Sequence, residues 1–434
     1  MNAQPVGAVI IGGEHPGLGI ARSLGRRGIP ICVIDDQHSI SQFSRYVNRV
    51  VRVKDLKDEL RTVDSVLEVG QRYGLEGWVL FPTRDETVAA FSHHRERLSK
   101  VFRVTTPGWE TVKWAWDKKN TYERAERLGI PVPHTFNPRS ESELEPLYNR
   151  LPLAIKPAVK ENFFYATGAK AWRAETPEQL RILFRKAANQ IRPEEILVQE
   201  IIPGDGRRQY SYCAFFRDGA AKSSLMARRM RQHPREFGRA ATYVETIELA
   251  EIEELSLRFL RDINFYGLVE LEFKQDPRDS NFKLLDVNAR TWGFHSLGGP
   301  AGVDFPYLLY ADQVGERVEG SRAKTGVGWL RMITDLPTAA SDIWAGELDL
   351  RSYWRSLRST RVESVFCAQD PLPSFGEVMM LPYLVAKKYF PKPGAQSKTH
   401  NVEDRKGAES VAGRSVSEGE SLLAADKNVI SPRS

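Results

Sequence analysis

Residues 267–290 read GLVELEFKQDPRDSNFKLLDVNAR, and this stretch decides how the chain around it is read. Two apolar-alternating runs, Gly267–Lys274 and Phe282–Asn288, flank the turn-forming DPRDSN and predict an antiparallel hairpin. Asp286 and Asn288 stand two apart on the second strand, so they point to one face. Antiparallel pairing can bring Glu272 opposite them on that face. Two carboxylates and one amide oxygen converging there are hard ligands, suited to Mg²⁺ (or Mn²⁺) bridging nucleotide phosphates. Either acid alone is equally well explained as part of a solvated face. The spacing E-F-x(12)-D-x-N-x-R is far less expected by chance. Arg290 adds a guanidinium where a transferring phosphoryl group or a developing oxyanion would sit.

Outward from the hairpin, short strands run from Leu153 (LAIKPA, ILVQEII, YSYCAFF, ATYVETI), interrupted by predicted helices over Glu178–Gln190 and Ile252–Asp262. This is an α+β pattern with a largely antiparallel sheet. The N-terminal part is different. Apolar runs at Gly7–Gly12, Pro30–Asp35, Val50–Val53 and Gly77–Phe81 alternate with helical stretches at Gly17–Arg27 and Val63–Tyr73, which predicts an α/β domain with a parallel, doubly wound sheet. A helix over Asp117–Leu128 is stopped by Gly129 and the Pro131/Pro133 pair. The expected organisation is an α/β domain over 1–115, an α+β domain over 116–325 (subdomains about 135–203 and 204–325), a mixed extension over 326–390, and a disordered tail over 391–434. The tail is rich in Ser, Gly, Lys and Glu, with few large apolar residues. Val378–Phe390 reads as a helix docked on the protein's own core rather than on a membrane surface, being short and interrupted by Pro382.

Several cations precede the hairpin. Lys156 sits in the apolar strand LPLAIKPA, where packing alone gives little reason for a lysine; the competing reading is an edge residue reaching solvent. Lys118 opens the helix at the domain boundary and is unremarkable by itself. Between Lys156 and the next helix lies VKENFFYATGAKAW, whose Gly168 and Lys170 suit a loop folding over phosphates, although it does not match a P-loop. In ILVQEIIPGDG a strand ends at Glu200 before a Pro-Gly turn. Its backbone suits an adenine edge, and Glu200 can accept from the exocyclic amine; a plain strand end is the alternative. Arg228, Arg229 and Arg231 offer cations for a substrate carboxylate or the γ-phosphate, or else form a solvated edge.

Taken in order, these motifs resemble the ATP-grasp superfamily, whose members include biotin carboxylase and carbamoyl-phosphate synthetase, over roughly Val6 to Glu319. The resemblance implies a pre-grasp domain followed by an ATP-grasp fold. It implies that Lys118 and Lys156 hold ATP phosphates, that Glu200, Ile201 and Ile202 contact adenine, and that Gln209 binds ribose. Glu272, Asp286 and Asn288 would bind one or two Mg²⁺. Arg290 would stabilise the acyl-phosphate and tetrahedral species, with Lys156 and Arg231 also at the reacting centre. Two departures stand out: Asp286 replaces the more usual Glu, and the phosphate loop carries Phe163–Phe164–Tyr165 where many relatives are glycine-rich. Trp329–Arg331, the segment SLRSTRVESVF and DPLP at Asp370–Pro373 narrow the resemblance to carboxylate–amine ligases similar to D-aspartate ligase. The activity implied is ATP-dependent joining of a small-molecule carboxylate to an amine, with ADP and phosphate released; the oligomeric state is left open, a homodimer being among the alternatives because relatives are often dimers.

Composition sets the remaining bounds. The 434 residues are 41% hydrophobic and 27% charged with a net charge of +6, as in an ordinary multi-domain globular protein. No basic run alternates with aromatics, so nucleic acid is not the expected partner. Three widely spaced cysteines, Cys32, Cys213 and Cys367, fit small buried hydrophobes of a reducing compartment. Without a visible signal peptide or an apolar membrane span, the expectation is a cytoplasmic protein. Two rival readings stand beside the ligase. Gly12-Gly13-x-x-x-Gly17-x-Gly19 with Asp35/Asp36 suggests a Rossmann oxidoreductase using NAD(P), although the glycines are not spaced as G-x-G-x-x-G. The other is a non-catalytic ATP-binding protein that kept the fold.

Overall fold

Each of the three β-sheets grows from a different kind of apolar run. The computed structural model describes residues 5–389 except 160–162, 164–166, 235, 236 and 239, with side chains as far as residue 382. The expected tail over 391–434 and Phe164–Tyr165 of the phosphate loop lie outside the described residues.

The first sheet is parallel, in the order β3-β2-β1-β4-β5. It comprises β1 (Ala8–Ile11), helix α1 (His15–Gly25), β2 (Ile31–Asp35), β3 (Arg49–Arg52), α2 (Glu59–Tyr73), β4 (Val79–Pro82), α3 (Asp85–His93), α4 (Arg95–Ser99) and β5 (Arg103–Val104). The continuous apolar runs AVII, ICVID and VLFP are buried along their whole length, as strands covered by helices on both faces must be. Asp58 caps α2 by accepting from the Arg61 N–H, and Gly74 ends it in the left-handed region. Helices α5 (Trp109–Trp116) and α6 (Lys118–Arg127) lead out of this layer.

The second sheet is antiparallel, in the order β6-β9-β7-β8. Its members are β6 (Thr135–Phe136), β7 (Leu153–Pro157), β8 (Trp172–Ala174) and β9 (Ile196–Glu200), covered by α7 (Pro177–Ala188). Leu153, Ile155, Leu180, Phe184 and Val198 form its own small core.

The third sheet is mixed. It runs β14-β13-β10-β11-β12-β16-β17, and β15 pairs with β11 off this path. Its elements are β10 (Gln209–Arg217), β11 (Ala220–His233), β12 (Ala240–Ile247), α8 (Ala250–Asp262), β13 (Gly267–Gln275), β14 (Phe282–Asn288), α9 (Gly298–Ala301), α10 (Phe305–Val314), β15 (Ser321–Arg322) and β16 (Gly328–Leu330). They continue through α11 (Met332–Trp344), α12 (Leu350–Ser359), β17 (Thr360–Glu363) and α13 (Leu372–Tyr389). Helix α8 lays Ile252, Leu255 and Phe259 on one face of this sheet, with Phe216, Leu271 and Phe273.

One hydrophobic cluster runs from Ile10 and Phe81 of the first sheet through Cys213 and Trp292 to Trp329 in β16. The stretch after residue 326 therefore completes the third sheet and does not hang from it. Asp370 of the DPLP segment anchors it again: this buried carboxylate accepts from Arg22 Nε at 2.9 Å, Ser44 Oγ at 2.7 Å and the Arg45 N–H at 3.0 Å. Helix α13 rests one side on Phe43, with Gly376 at the contact. Cys32 and Cys213 are buried as expected, whereas Cys367 is half-buried and its Sγ accepts from Arg26. Among the described residues no helix is long and apolar enough to cross a membrane.

Candidate active site

The decisive hairpin forms as β13 and β14, with Glu272 directly opposite Asp286 and Glu270 opposite Asn288. An irregularity after Glu272 leaves Leu285 out of register, yet the side chains of the four positions are kept together. Asn288 Nδ2 donates to Glu270 Oε2 and Glu272 Oε1, both at 3.1 Å. Glu270 also accepts from Ser211 Oγ at 2.8 Å; burial and the neighbouring Glu272 charge push its carboxyl up to about 7. Sequence reasoning passed over Glu270. The signal was present, since Glu270 and Glu272 are two apart on one strand and so share a face.

A cavity of about 570 Å³ opens between the second and third sheets. It is lined from one side by Lys156, Lys170, Glu200, Ile201 and Ile202, and from the other by Gln209, Arg229, Glu272 and Asp286, with Lys118 between. Lys156 projects from β7, which pairs with β9 on one side and β8 on the other. It is thus on an interior strand, and the edge-residue reading falls. Its Nζ donates to Tyr122 Oη at 2.7 Å and lies 5.0 Å from that ring's centroid. Burial and the Lys118 charge push the Lys156 ammonium down to about 7; Asp286 opposes this and Lys170 adds to it. Lys118, at the first turn of α6, donates from Nζ to Asp286 Oδ1 at 2.8 Å, and its backbone N–H donates to Ala158 O. Lys170 donates to Gly238 O at 3.1 Å, tying the end of the loop after β7 to the β11–β12 connection.

Glu272 and Asp286 each have a cation on them. Arg229 Nη2 donates to Glu272 Oε2 at 3.0 Å, and its Nη1 donates to Gln209 Oε1 at 3.1 Å. Held this way, no three His, Cys, Asp or Glu side chains among the described residues converge as a ready metal cage. The donor set still fits magnesium, which usually takes one or two protein carboxylates and completes its octahedron with phosphate oxygens and water. Glu272, Asp286 and the Asn288 Oδ1 atom would hold it.

Three expectations need amendment. The Glu200 carboxylate is engaged by the protein itself: it accepts from the His134 N–H and Lys283 Nζ, each at 2.9 Å, and from Arg278 Nη2 at 2.8 Å. Burial alone would raise this acid, but these donors outweigh it and hold it below its ordinary range. The chain past Glu200 still lines the cavity through Ile201 and Ile202, where Lys274 Nζ fixes the carbonyls of Ile202 and Gly204 at 2.8 and 2.7 Å. Arg231 is not at the reacting centre. Residues 229 and 231 would share a face on a regular strand, but an irregularity sets Arg229 against Val244 and Arg231 against Tyr243, so they point opposite ways. Arg231 instead makes a buried two-point pair with Asp335, both contacts at 2.8 Å. Arg228 turns to Arg207 O.

Arg290 is half-buried and held at two points by Asp85 at the start of α3, with a further contact of 3.3 Å to Asn288 Oδ1. Asp85 outweighs the effect of burial and keeps the guanidinium charged. Nothing in the sequence pairs positions 205 residues apart, so Asp85 was not foreseeable. The dinucleotide reading also fails on geometry. Asp35 Oδ2 accepts from the Gly13 N–H at 2.7 Å, and Arg84 bridges Asp35 and Asp36, leaving no free acid for a ribose. A Cβ at Gly17 would lie 2.1 Å from Gly12 O, so that glycine serves tight turn packing.

No family model matches the chain. In sequence it is 24% identical over 297 residues to a D-aspartate ligase of Enterococcus faecium, covering 65% of this chain and 70% of that protein. In structure it is similar to the biotin carboxylase domain dimer of Hydrogenobacter thermophilus 2-oxoglutarate carboxylase in complex with MgADP, ADP and bicarbonate, at TM-score 0.59 and 16% identity over 75% of this chain and 74% of that one. It is similar to the L-amino acid ligase of Bacillus licheniformis, at TM-score 0.56 and 16% identity over 72% and 75%. A third is the ADP complex of Staphylococcus aureus N5-carboxyaminoimidazole synthetase, at 0.57 and 14% over 74% and 81%. The chain has the ATP-grasp fold, and it resembles the carboxylate–amine ligases built on that fold.

Proposed function

We propose that this protein is an ATP- and Mg²⁺-dependent carboxylate–amine ligase working through an acyl phosphate. The observation that carries this reading is the opposition, across one cavity, of the Glu272–Asp286 pair and the cations Lys156 and Lys170, with Lys118 between them on Asp286. Such a cleft accepts a triphosphate between lysines and a metal-binding face. The nucleotide base would lie against the backbone of Ile201 and Ile202, with Gln209 toward the ribose. Bound magnesium would neutralise charge on the transferring phosphoryl group. Lys118 and Lys156 would hold the phosphates in line with an incoming carboxylate, so that the protein's contribution is mostly position and charge. A carboxylate oxygen attacks the γ-phosphorus and ADP leaves. An amine then attacks the activated carbonyl carbon, phosphate leaves, and the amine proton passes to solvent. Arg290, oriented by Asp85, would stabilise the oxyanion of that second step.

The test is ADP release from ATP and Mg²⁺ with pooled carboxylates against pooled amines, followed by mass spectrometry of the product. Hydroxylamine should divert the activated acid to a hydroxamate. ATP binding without ADP release across a broad panel would instead support a non-catalytic nucleotide-binding protein.

A further inference from the structure

Among the described residues, most of the large exposed apolar side chains fall between Met332 and Leu381. The most exposed is Trp344, at the end of α11, with 94% of its surface free; Trp354 on α12 is 62% free. Helix α12 is sharply two-sided. Tyr353 and Ser356 are buried on one side, while Leu350, Arg351, Trp354, Arg355 and Arg358 are exposed on the other. The spacing i, i+1, i+4, i+5, i+8 puts those five on a single face. From Leu350 to Arg361 the sequence is LRSYWRSLRSTR, with four arginines and no acid. Asp349, just before it, is used as the helix cap, accepting from the Ser352 N–H at 2.9 Å.

We propose that the exposed face of α12, together with Trp344, docks peripherally on an anionic lipid bilayer. A helix lying in a membrane interface combines an apolar strip with flanking cations, and tryptophan prefers the headgroup boundary. The arginines supply the attraction to acidic headgroups, and Trp344, Leu350 and Trp354 supply the apolar contact. Charge complementarity selects this occupant over a second copy of the chain. A two-fold interface would set these like charges against themselves. It also locates the docking on α12: helix α13 exposes Leu372, Phe375, Val378 and Met379, but no basic side chains of the described residues stand among them. A polyanion such as nucleic acid would satisfy the arginines and leave Leu350 and Trp344 uncovered. Glu347, between Trp344 and Leu350, lines the nucleotide cavity, so the docked face adjoins its mouth.

The experiment needs no nucleotide and so stands apart from the ligase reading. The full chain is sedimented with phosphatidylcholine vesicles, with and without phosphatidylglycerol. Binding to the anionic vesicles alone, with a blue shift of tryptophan emission and a loss on adding salt, is the expected result. The triple change R351A/R355A/R358A should lower partitioning roughly a hundredfold, and R351K/R355K/R358K should retain it. Trp344→Ser should reduce both binding and the blue shift. All these side chains are exposed, so an unchanged circular dichroism spectrum shows that the fold is kept. Equal binding to neutral and anionic vesicles, or none to either, overturns the proposal. So does a dimer in sedimentation velocity that Trp344→Ser and Trp354→Ser dissolve, or a preference for an oligonucleotide over vesicles.

Discussion

Lys156 concentrates much of the site's chemistry in one atom. Its ammonium ordinarily titrates near 10.5, and its surroundings lower that to about 7. Below pH 7 the free protein carries the charge already, and as pH rises through 7 the charge is lost. A nucleotide phosphate beside Nζ favours the charged form, so above pH 7 binding must draw in a proton. ATP affinity should therefore weaken with rising pH, by up to about tenfold per unit. Calorimetry in buffers of different ionisation heat reads this directly; binding without proton uptake at pH 8 would remove Lys156 from the phosphate site. Lys156→Arg should abolish the uptake, and Lys156→Ala should raise the KM for ATP steeply. Glu272→Gln or Asn288→Ala should abolish ADP release with the fold intact by circular dichroism; near-wild-type turnover in either would refute the metal assignment. Asp85→Asn tests the orienting of Arg290: kcat should fall roughly a hundredfold with the KM for ATP little changed. Strand periodicity placed side chains best at this scale, because a period of two fixes the face that Glu272, Asp286 and Asn288 share. The settings of Glu200 and Arg231 were not legible in this way, because their partners, Lys283 and Asp335, are 83 and 104 residues away.

Strand pairing explains why the hairpin was legible and the arginine run was not. Glu270, Glu272, Asp286 and Asn288 all lie on the same side of the one irregularity in that hairpin, so counting by twos within each strand suffices to place them on one face. In β11 the register shifts after Arg229 and again after Arg231, and no local composition announces such a shift. The parallel sheet was equally readable, because apolar strands alternating with helices admit few other arrangements. Its glycine turn gives a test at this scale. Gly17→Ala would set a Cβ against the backbone oxygen of Gly12, which has no rotamer by which to yield. The change should cost about 1–3 kcal/mol, as overpacking does, read as a lower urea midpoint with an unchanged slope. A midpoint equal to that of the parent would mean that the turn can relax.

Across the molecule, the C-terminal stretch is stitched in at two distant places. Trp329 is buried in the cluster that also holds Ile10, and Asp370 receives Arg22, Ser44 and the Arg45 backbone. Composition showed a mixed region there but could not show that it closes the sheet. Removing one partner of a buried ionic network leaves the others uncompensated, at roughly 3–5 kcal/mol. Asp370→Ala should thus lower the unfolding temperature of the chain and expose the segment after β17 to protease first; an unshifted melt would make the anchor dispensable. The strand carrying Lys156 has a further consequence. Because β7 lies hydrogen-bonded between β8 and β9, and β9 runs into Ile201 and Ile202, Lys156 and the backbone proposed to face the purine are carried by one sheet, whereas Glu272 and Asp286 belong to another. On the proposed function, tilting the sheet of β7 and β9 would withdraw Lys156 and the Ile201–Ile202 backbone from a nucleotide in one movement, leaving its phosphates to Lys118 and the metal-binding face alone.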